Sequence, residues 1–290
     1  MAGRDKKAGP GGFSPGAEEA QKPKGLSVSR NIALSSRESL VASLVFVLVL
    51  LLLFGLSTGF TRFNPLAALL SQGEFWNFIL SDFIPPATGR LGALLQAVAQ
   101  TIYMALAATG LSSLLALFLS FPGTAAITRS RTINSLVRAF ASVLRNIPTL
   151  VWAFILVAAF GIGTVVGILS LIIATTGYLT RFFIEILDEA AEETLEPLLA
   201  AGASMPSIVA QALLPDAMPG FIAWILYCVE LNIRASTILG MVGAGGVGLL
   251  LMGYIKQFNY ASASTAIIAV AAVIIGVNLL TTYLRKLIMR

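Results

Sequence analysis

Long apolar runs and short polar breaks alternate along the chain. The first run, Leu40–Phe60, contains the stretch LVFVLVLLLLFGL and follows a polar segment. Others lie at Ala97–Phe121, Ile147–Phe160, Gly163–Ile186, Gly220–Leu239 and Ala261–Leu284. A helix that crosses a bilayer needs about 20 mostly apolar residues. Five runs reach that length, and Ile147–Phe160 does so only if Leu136–Leu144 joins it. The pattern predicts an all-α membrane protein with about six transmembrane helices.

The polar stretches divide the chain. Residues 1–38 are rich in Gly, Pro, Lys and Ser, lack the apolar content to fold, and are expected to form a disordered tail. The apolar run behind them starts too late and is too long for a signal peptide. Residues 39–96 hold the first transmembrane helix and an external segment expected to be mobile, in which FWNF (Phe75–Phe78) suggests an interfacial aromatic belt. Residues 97–290 form the core, interrupted by a polar loop at 187–218.

Composition agrees with lipid as the solvent. Hydrophobic residues make up 57% of the chain and charged residues 11%, against roughly 25% charged in a soluble domain. The basic balance (pI ≈ 9.6) bears on topology. With the N-terminus inside, fifteen of the 19 Lys and Arg fall on inner segments; only Arg62, Arg90 and Lys256 fall outside, and Arg234 lies within a span. Basic residues mark the cytoplasmic side, so both termini are expected there. The basic residues then face membrane lipid, not nucleic acid. There is no histidine and one cysteine, Cys228. A Cys/His metal site, an internal disulfide and Ser-His or Cys-His catalysis are all excluded, and Cys228 reads as a small core residue.

The loop from about Glu185 to Pro219 holds seven of the 14 acids, where basic residues are the rule. Its grammar is helix, break, helix. Pro197 suits the first turn of a short helix, Pro197–Ala201, that stops at Gly202. Ser204 then caps a second helix that ends at Leu214–Pro215. A short helix lying across the membrane surface is the expected result.

Glu196, Gly202 six residues on, and Leu214-Pro215 twelve further resemble the EAA motif of type I ABC importer permeases. The departure is Pro197, where that family usually has Ala. The resemblance implies that Glu196, Pro197, Ala201, Gly202, Ala203, Leu214 and Pro215 couple the chain to a cytoplasmic ATPase. The strings RNIPTLVWAFI (145–155), TTGYLTRFFIEILDEA (175–190), LPDAMPGFIAW (214–224), ELNIRASTILGMVGAGGVG (230–248) and FNY (258–260) are similar to the phosphonate branch. Permeases for phosphite and hypophosphite resemble it closely. The resemblance implies two ATPase subunits, a second permease copy and a substrate-binding protein, in a bacterial inner membrane. The sequence carries no GxxxxGK[ST] motif, so ATP and Mg belong to the ATPase and no cofactor is expected on this chain. An ATP-independent secondary transporter, or a permease for another small anion, is the alternative; the docking-type loop favours the importer. A membrane enzyme is disfavoured by the missing His.

Several polar residues in or at the ends of the apolar spans are candidates for a path or gate. Glu230 and Arg234 are four apart and share a helix face; Asn232 lies between them. They either neutralise each other or place Arg234 on an anion path. Asn146 opens the third span, and Thr176 and Tyr178 lie in the fourth. Gln100, Thr101, Tyr103 and Thr109 lie in the second, where such residues line a path or bond between helices. GAGGVG (Gly243–Gly248) fits G-x-G-x-x-G literally but has no βαβ setting. Gly243, Gly245 and Gly246 are expected instead in a flexible re-entrant turn at an external gate.

Overall fold

The structure, a computed structural model, describes residues 36–288 apart from positions 85 and 88. The expected tail of residues 1–38 falls almost wholly outside them. The chain divides into two compact units, residues 1–71 and 72–290.

In the first unit, α1 (Ser36–Thr61) is apolar on every side, and large side chains from Leu40 to Leu56 are 46% exposed or more. Such a helix is stable in hydrocarbon and not in water. Helix α2 (Pro65–Leu70) starts with proline in its first turn, and the Asn64 side chain accepts the Leu66 and Ala67 amides, both at 3.1 Å.

The second unit begins with α3 (Gln72–Phe78), which passes into a wide turn, Ile79–Phe83. Phe78 meets Tyr260 edge to face. The stretch expected to be mobile therefore carries helices.

The core is built on α4 (Leu91–Gly123), α5 (Arg131–Asn146), α6 (Thr149–Phe160), α7 (Thr164–Ala200), α9 (Leu214–Leu239), α10 (Gly246–Lys256) and α11 (Tyr260–Ile288), with α8 (Met205–Ile208) leading into α9. Five helices among the described residues have the length and composition to cross a membrane, and the count is six if α5 and α6 form one broken span. That pair is bent by 82° at Ile147–Pro148. The expected extension through Leu136–Leu144 lies on the far side of that bend. It belongs to α5, whose Ser130 side chain caps the Ile133 amide. Its exposed Ile133, Leu136, Phe140 and Val143 recur on one face, the pattern of a helix lying in a membrane interface.

Helix α7 is the central post and packs against α4, α5, α6 and α9. At 37 residues it is about 55 Å long, well beyond a hydrocarbon core of ~30 Å. Small residues let its neighbours close in, as between membrane helices generally. A Cβ on Gly177 would stand 2.7 Å from the Arg145 amide nitrogen and 2.9 Å from the Ala141 carbonyl. Buried Phe183, Leu187, Ile208, Leu213, Phe221 and Cys228 share one cluster near the polar loop.

Candidate coupling and translocation sites

The loop expected to form two short helices is mostly the ends of two long ones. Pro197 does not start a helix; it lies within the last turns of α7. Its neighbours Leu195 and Leu198 pack on the buried cluster, and that packing holds the turn despite the amide that proline lacks. Leu214–Pro215 does not end a helix either. From Met205 the chain stays helical through a wide turn, Val209–Leu213, into α9. The Leu214 amide reaches back five residues to the Val209 carbonyl. A wider turn spares the i−4 carbonyl that the Pro215 ring would otherwise strike. No separate short helix lies across a surface here, among the described residues.

The break itself falls where the sequence places it. Gly202 has φ +84°, the left-handed region that glycine enters without cost. Its amide donates to the Leu199 carbonyl at 3.0 Å, and the Ala203 amide donates to Leu198 at 3.0 Å, the paired closure of a glycine C-cap. Residues 201–204 make a tight elbow between α7 and α8. Ser204 stands at the N-cap position without a side-chain cap bond. Glu189, Glu192, Glu193 and Glu196 lie on the approach to the elbow, with Glu192, Glu196, Pro197, Ala201 and Gly202 among its most accessible positions, while Ala203 is half-buried. Ala191, Glu192, Leu195, Glu196, Leu199 and Ala200 line a shallow hollow of about 520 Å³.

Asp188, counted with the loop's acids, has another setting. Its Oδ2 meets Arg138 Nη2 at 2.5 Å and its Oδ1 accepts the Ala125 amide at 3.0 Å. Arg138 Nε also donates to the Gly123 carbonyl at 3.1 Å. The pair ties α7 to the turn between α4 and α5, joining residues too far apart in sequence to be matched by pattern.

Inside the bundle, Asn232 is a hydrogen-bonded junction. Its Nδ2 donates to Thr109 Oγ1 at 2.8 Å, and its Oδ1 accepts from Thr175 Oγ1 at 2.9 Å. One side chain of α9 thereby joins α4 and α7, with all three residues buried. Glu230, only 4% exposed, pairs with Arg234 as the spacing predicts. Helix α11 supplies two partners that the sequence does not suggest: Asn278 Nδ2 donates to Glu230 Oε1 at 2.8 Å, and Arg285 Nη2 lies 3.8 Å from Oε2. Arg234 keeps 46% of its side chain exposed. The cluster leaves one positive charge in excess, and Arg234 carries it toward an open face.

Of the remaining candidates, Asn146 lies at the α5–α6 bend and Tyr178 is 37% exposed. Thr176 is buried and its hydroxyl has no hydrogen-bond partner among the described residues. They do not join the Glu230 cluster.

The glycine string forms a close-packed turn followed by α10, a helix outside the six expected spans. Gly243, Gly245 and Gly246 have φ of +104°, +85° and +69°. A Cβ on Gly246 would lie 2.6 Å from Thr101 Oγ1, and one on Gly248 1.9 Å from the Thr237 carbonyl. Helix α4 caps α10: Gln100 Oε1 accepts the Gly246 amide at 3.2 Å and Thr101 Oγ1 accepts the Val247 amide at 2.9 Å. A signal for α10 is present in the sequence, since Val247, Leu250, Leu251 and Tyr254 repeat at helical spacing and pack together.

A bundle of membrane-length helices, an acidic elbow projecting from its longest members, and a charge cluster inside it define a membrane transport subunit. Residues 120–290 match the family described as binding-protein-dependent transport system inner membrane component, and the chain belongs to it. It is 29% identical over 246 residues to a phosphite transport system permease protein of Stutzerimonas stutzeri, covering 84% of this chain and 87% of that one. It is 30% identical over 230 residues to a phosphate-import permease protein of Mycolicibacterium smegmatis, covering 78% of this chain and 42% of that one. An inward-facing structure of the MetNI methionine ABC transporter aligns with 70% of this chain and 100% of its own, at TM-score 0.62 and 20% identity. The fold is that of a type I ABC importer permease.

Proposed function

We propose that the chain is the membrane path of an ATP-driven importer for phosphorus oxyanions, phosphonate foremost, with phosphite and phosphate as the competing substrates. Support comes from the substrates for which its relatives are named and from the net positive Glu230–Arg234–Arg285 cluster.

The observation that carries ATP coupling is the elbow at Gly202. It joins α7 and the α8–α9 rod, and its acidic approach is free to receive a partner. Two cytoplasmic ATPases, each bound to one copy of the chain, close on ATP and draw the two elbows together. The long helices carry that motion toward the far end of the bundle. Glu196, Pro197, Ala201, Gly202 and Ala203 form the docking surface; Leu214 and Pro215 begin the rod that transmits the movement. ATP and Mg stay on the ATPase, and this chain binds no cofactor. A binding protein delivers the anion on the side opposite the elbow, with both termini cytoplasmic. Arg234 meets the anion along the path, held by Glu230; the glycines at 243, 245 and 246 shape the outer gate.

The test is ATPase stimulation and uptake by the reconstituted complex, with binding protein loaded in turn with methylphosphonate, phosphite or phosphate. Deleting Glu196–Gly202 uncouples this machine; an autonomous carrier keeps transporting.

A further inference from the structure

Helices α4 and α10 face each other across a groove of about 870 Å³, a volume in the ~300–1,000 Å³ range of small-molecule sites. It lies where α7 begins, with Thr164 and Ile168 in its wall. The elbow sits at the other end of α7, about 55 Å away. The groove therefore opens on the side away from the ATPase surface.

The chemistry of the wall is one-sided. Its polar side chains include Arg90, Gln96, Gln100, Tyr103, Thr164 and Gln257, and no carboxylate is among the described residues that line it. Arg90 is exposed and makes no ion pair among the described residues. Gln100 Oε1 accepts the Gly246 amide, and its NH₂ group is a donor with no partner among the described residues. Gln96, Gln100 and Tyr103 follow one face of α4 over about 10 Å, and Arg90 stands at its N-cap. The apolar remainder, including Met104, Ile168, Leu249 and Leu250, lowers the local dielectric and strengthens each donor.

We infer that this groove is the permease's receiving site for a phosphorus oxyanion, with Arg90 as its charged ligand and Gln100 and Tyr103 as neutral donors further along α4. The inference rests on the substrate class given under Proposed function. A guanidinium fits a phosphorus oxyanion in two-point fashion. A single cation followed by neutral donors holds the anion loosely enough to let it move on, which a path requires.

The experiment is uptake by liposomes holding the full complex, at saturating binding protein loaded with phosphite, and again with methylphosphonate and phosphate. Arg90→Gln should lower the uptake rate about tenfold, the loss of one charge-assisted hydrogen bond, and Arg90→Lys should restore most of it. Gln100→Glu keeps the cap on α10, because a carboxylate oxygen still accepts the Gly246 amide, while it removes the donor and adds a negative charge to the groove. It should cut uptake at least as far, with the complex assembled on size-exclusion. Lys256→Gln, outside the groove, should match wild type. If wild type takes up all three anions and Arg90→Gln and Gln100→Glu do so equally well, the groove is not the receiving site. If Arg90→Gln and Gln100→Glu lose uptake because the two permease copies no longer associate, the groove is an interface between chains and the inference is overturned. If wild type takes up none of the three anions, the substrate class fails first, and the inference falls with it.

Discussion

Asn278 on α11 donates its side-chain amide to the buried Glu230 carboxylate on α9, 2.8 Å away. With Arg234 and Arg285 also paired with that carboxylate, Glu230 serves three partners, of which Arg285 also donates to the Thr281 carbonyl. Removing Glu230 should therefore cost more than removing any one partner. The thermal midpoint of the detergent-purified protein should fall most for Glu230→Ala, less for Glu230→Gln, which can still accept from Asn278, and least for Arg234→Ala. Glu230→Ala strips Asn278, Arg234 and Arg285 of a partner at once, whereas Arg234→Ala leaves the buried carboxylate compensated by Asn278 and Arg285. A larger fall for Arg234→Ala than for Glu230→Ala would refute this order.

Arg234 is the half-exposed member, so its loss should appear in transport. Arg234→Ala is expected to abolish anion uptake while the permease still binds its ATPase, measured by co-purification and by vesicle uptake. Failure to assemble would mean that Arg234 only pins α9 in the bundle.

At Asn232, replacement by Leu removes two hydrogen bonds and strands the buried Thr175 hydroxyl, while Thr109 keeps its bond to the Ala105 carbonyl. Interhelical hydrogen bonds in membranes average about 0.6 kcal/mol each, so a loss of about 1–2 kcal/mol in an unfolding titration is expected. Asn232→Asp should be worse, because it places a charge among groups that cannot all reorganise.

Two glycines of α10 offer an internal control. Gly248→Ala drives a Cβ to within 1.9 Å of the Thr237 carbonyl, whereas a Cβ on Gly253 would meet nothing within 4 Å. Gly248→Ala should fail to accumulate as folded protein in membranes; Gly253→Ala should express like wild type.

The apolar centres of the spans are legible because lipid demands some twenty apolar residues in a row. The ends are not. Beyond Ile186 the acidic stretch of α7 loses its hydropathy signal, yet it stays helical because Leu187, Ala190 and Ala191 remain buried. Local rules place proline at a helix boundary, but at 197 and 215 packing and a wide turn absorb it. Gly202 is legible because a positive φ is a local demand. Spacing alone pairs Glu230 with Arg234, but Asn278 and Arg285 come from another helix, and no periodicity predicts them. Helix α10 is obscured by the glycines at its start, which outweigh the apolar repeat behind them.

An outside ATPase that moves this chain through the elbow at Gly202 to import a phosphorus oxyanion is the central proposal. The direct measurement is uptake of phosphite, methylphosphonate and phosphate into vesicles carrying the whole complex, with and without ATP and with Glu196–Gly202 deleted. Uptake of at least one of the three should need ATP and be lost on deletion, although the chain still inserts and folds. Uptake that continues without ATP, or that survives the deletion, would contradict the proposal.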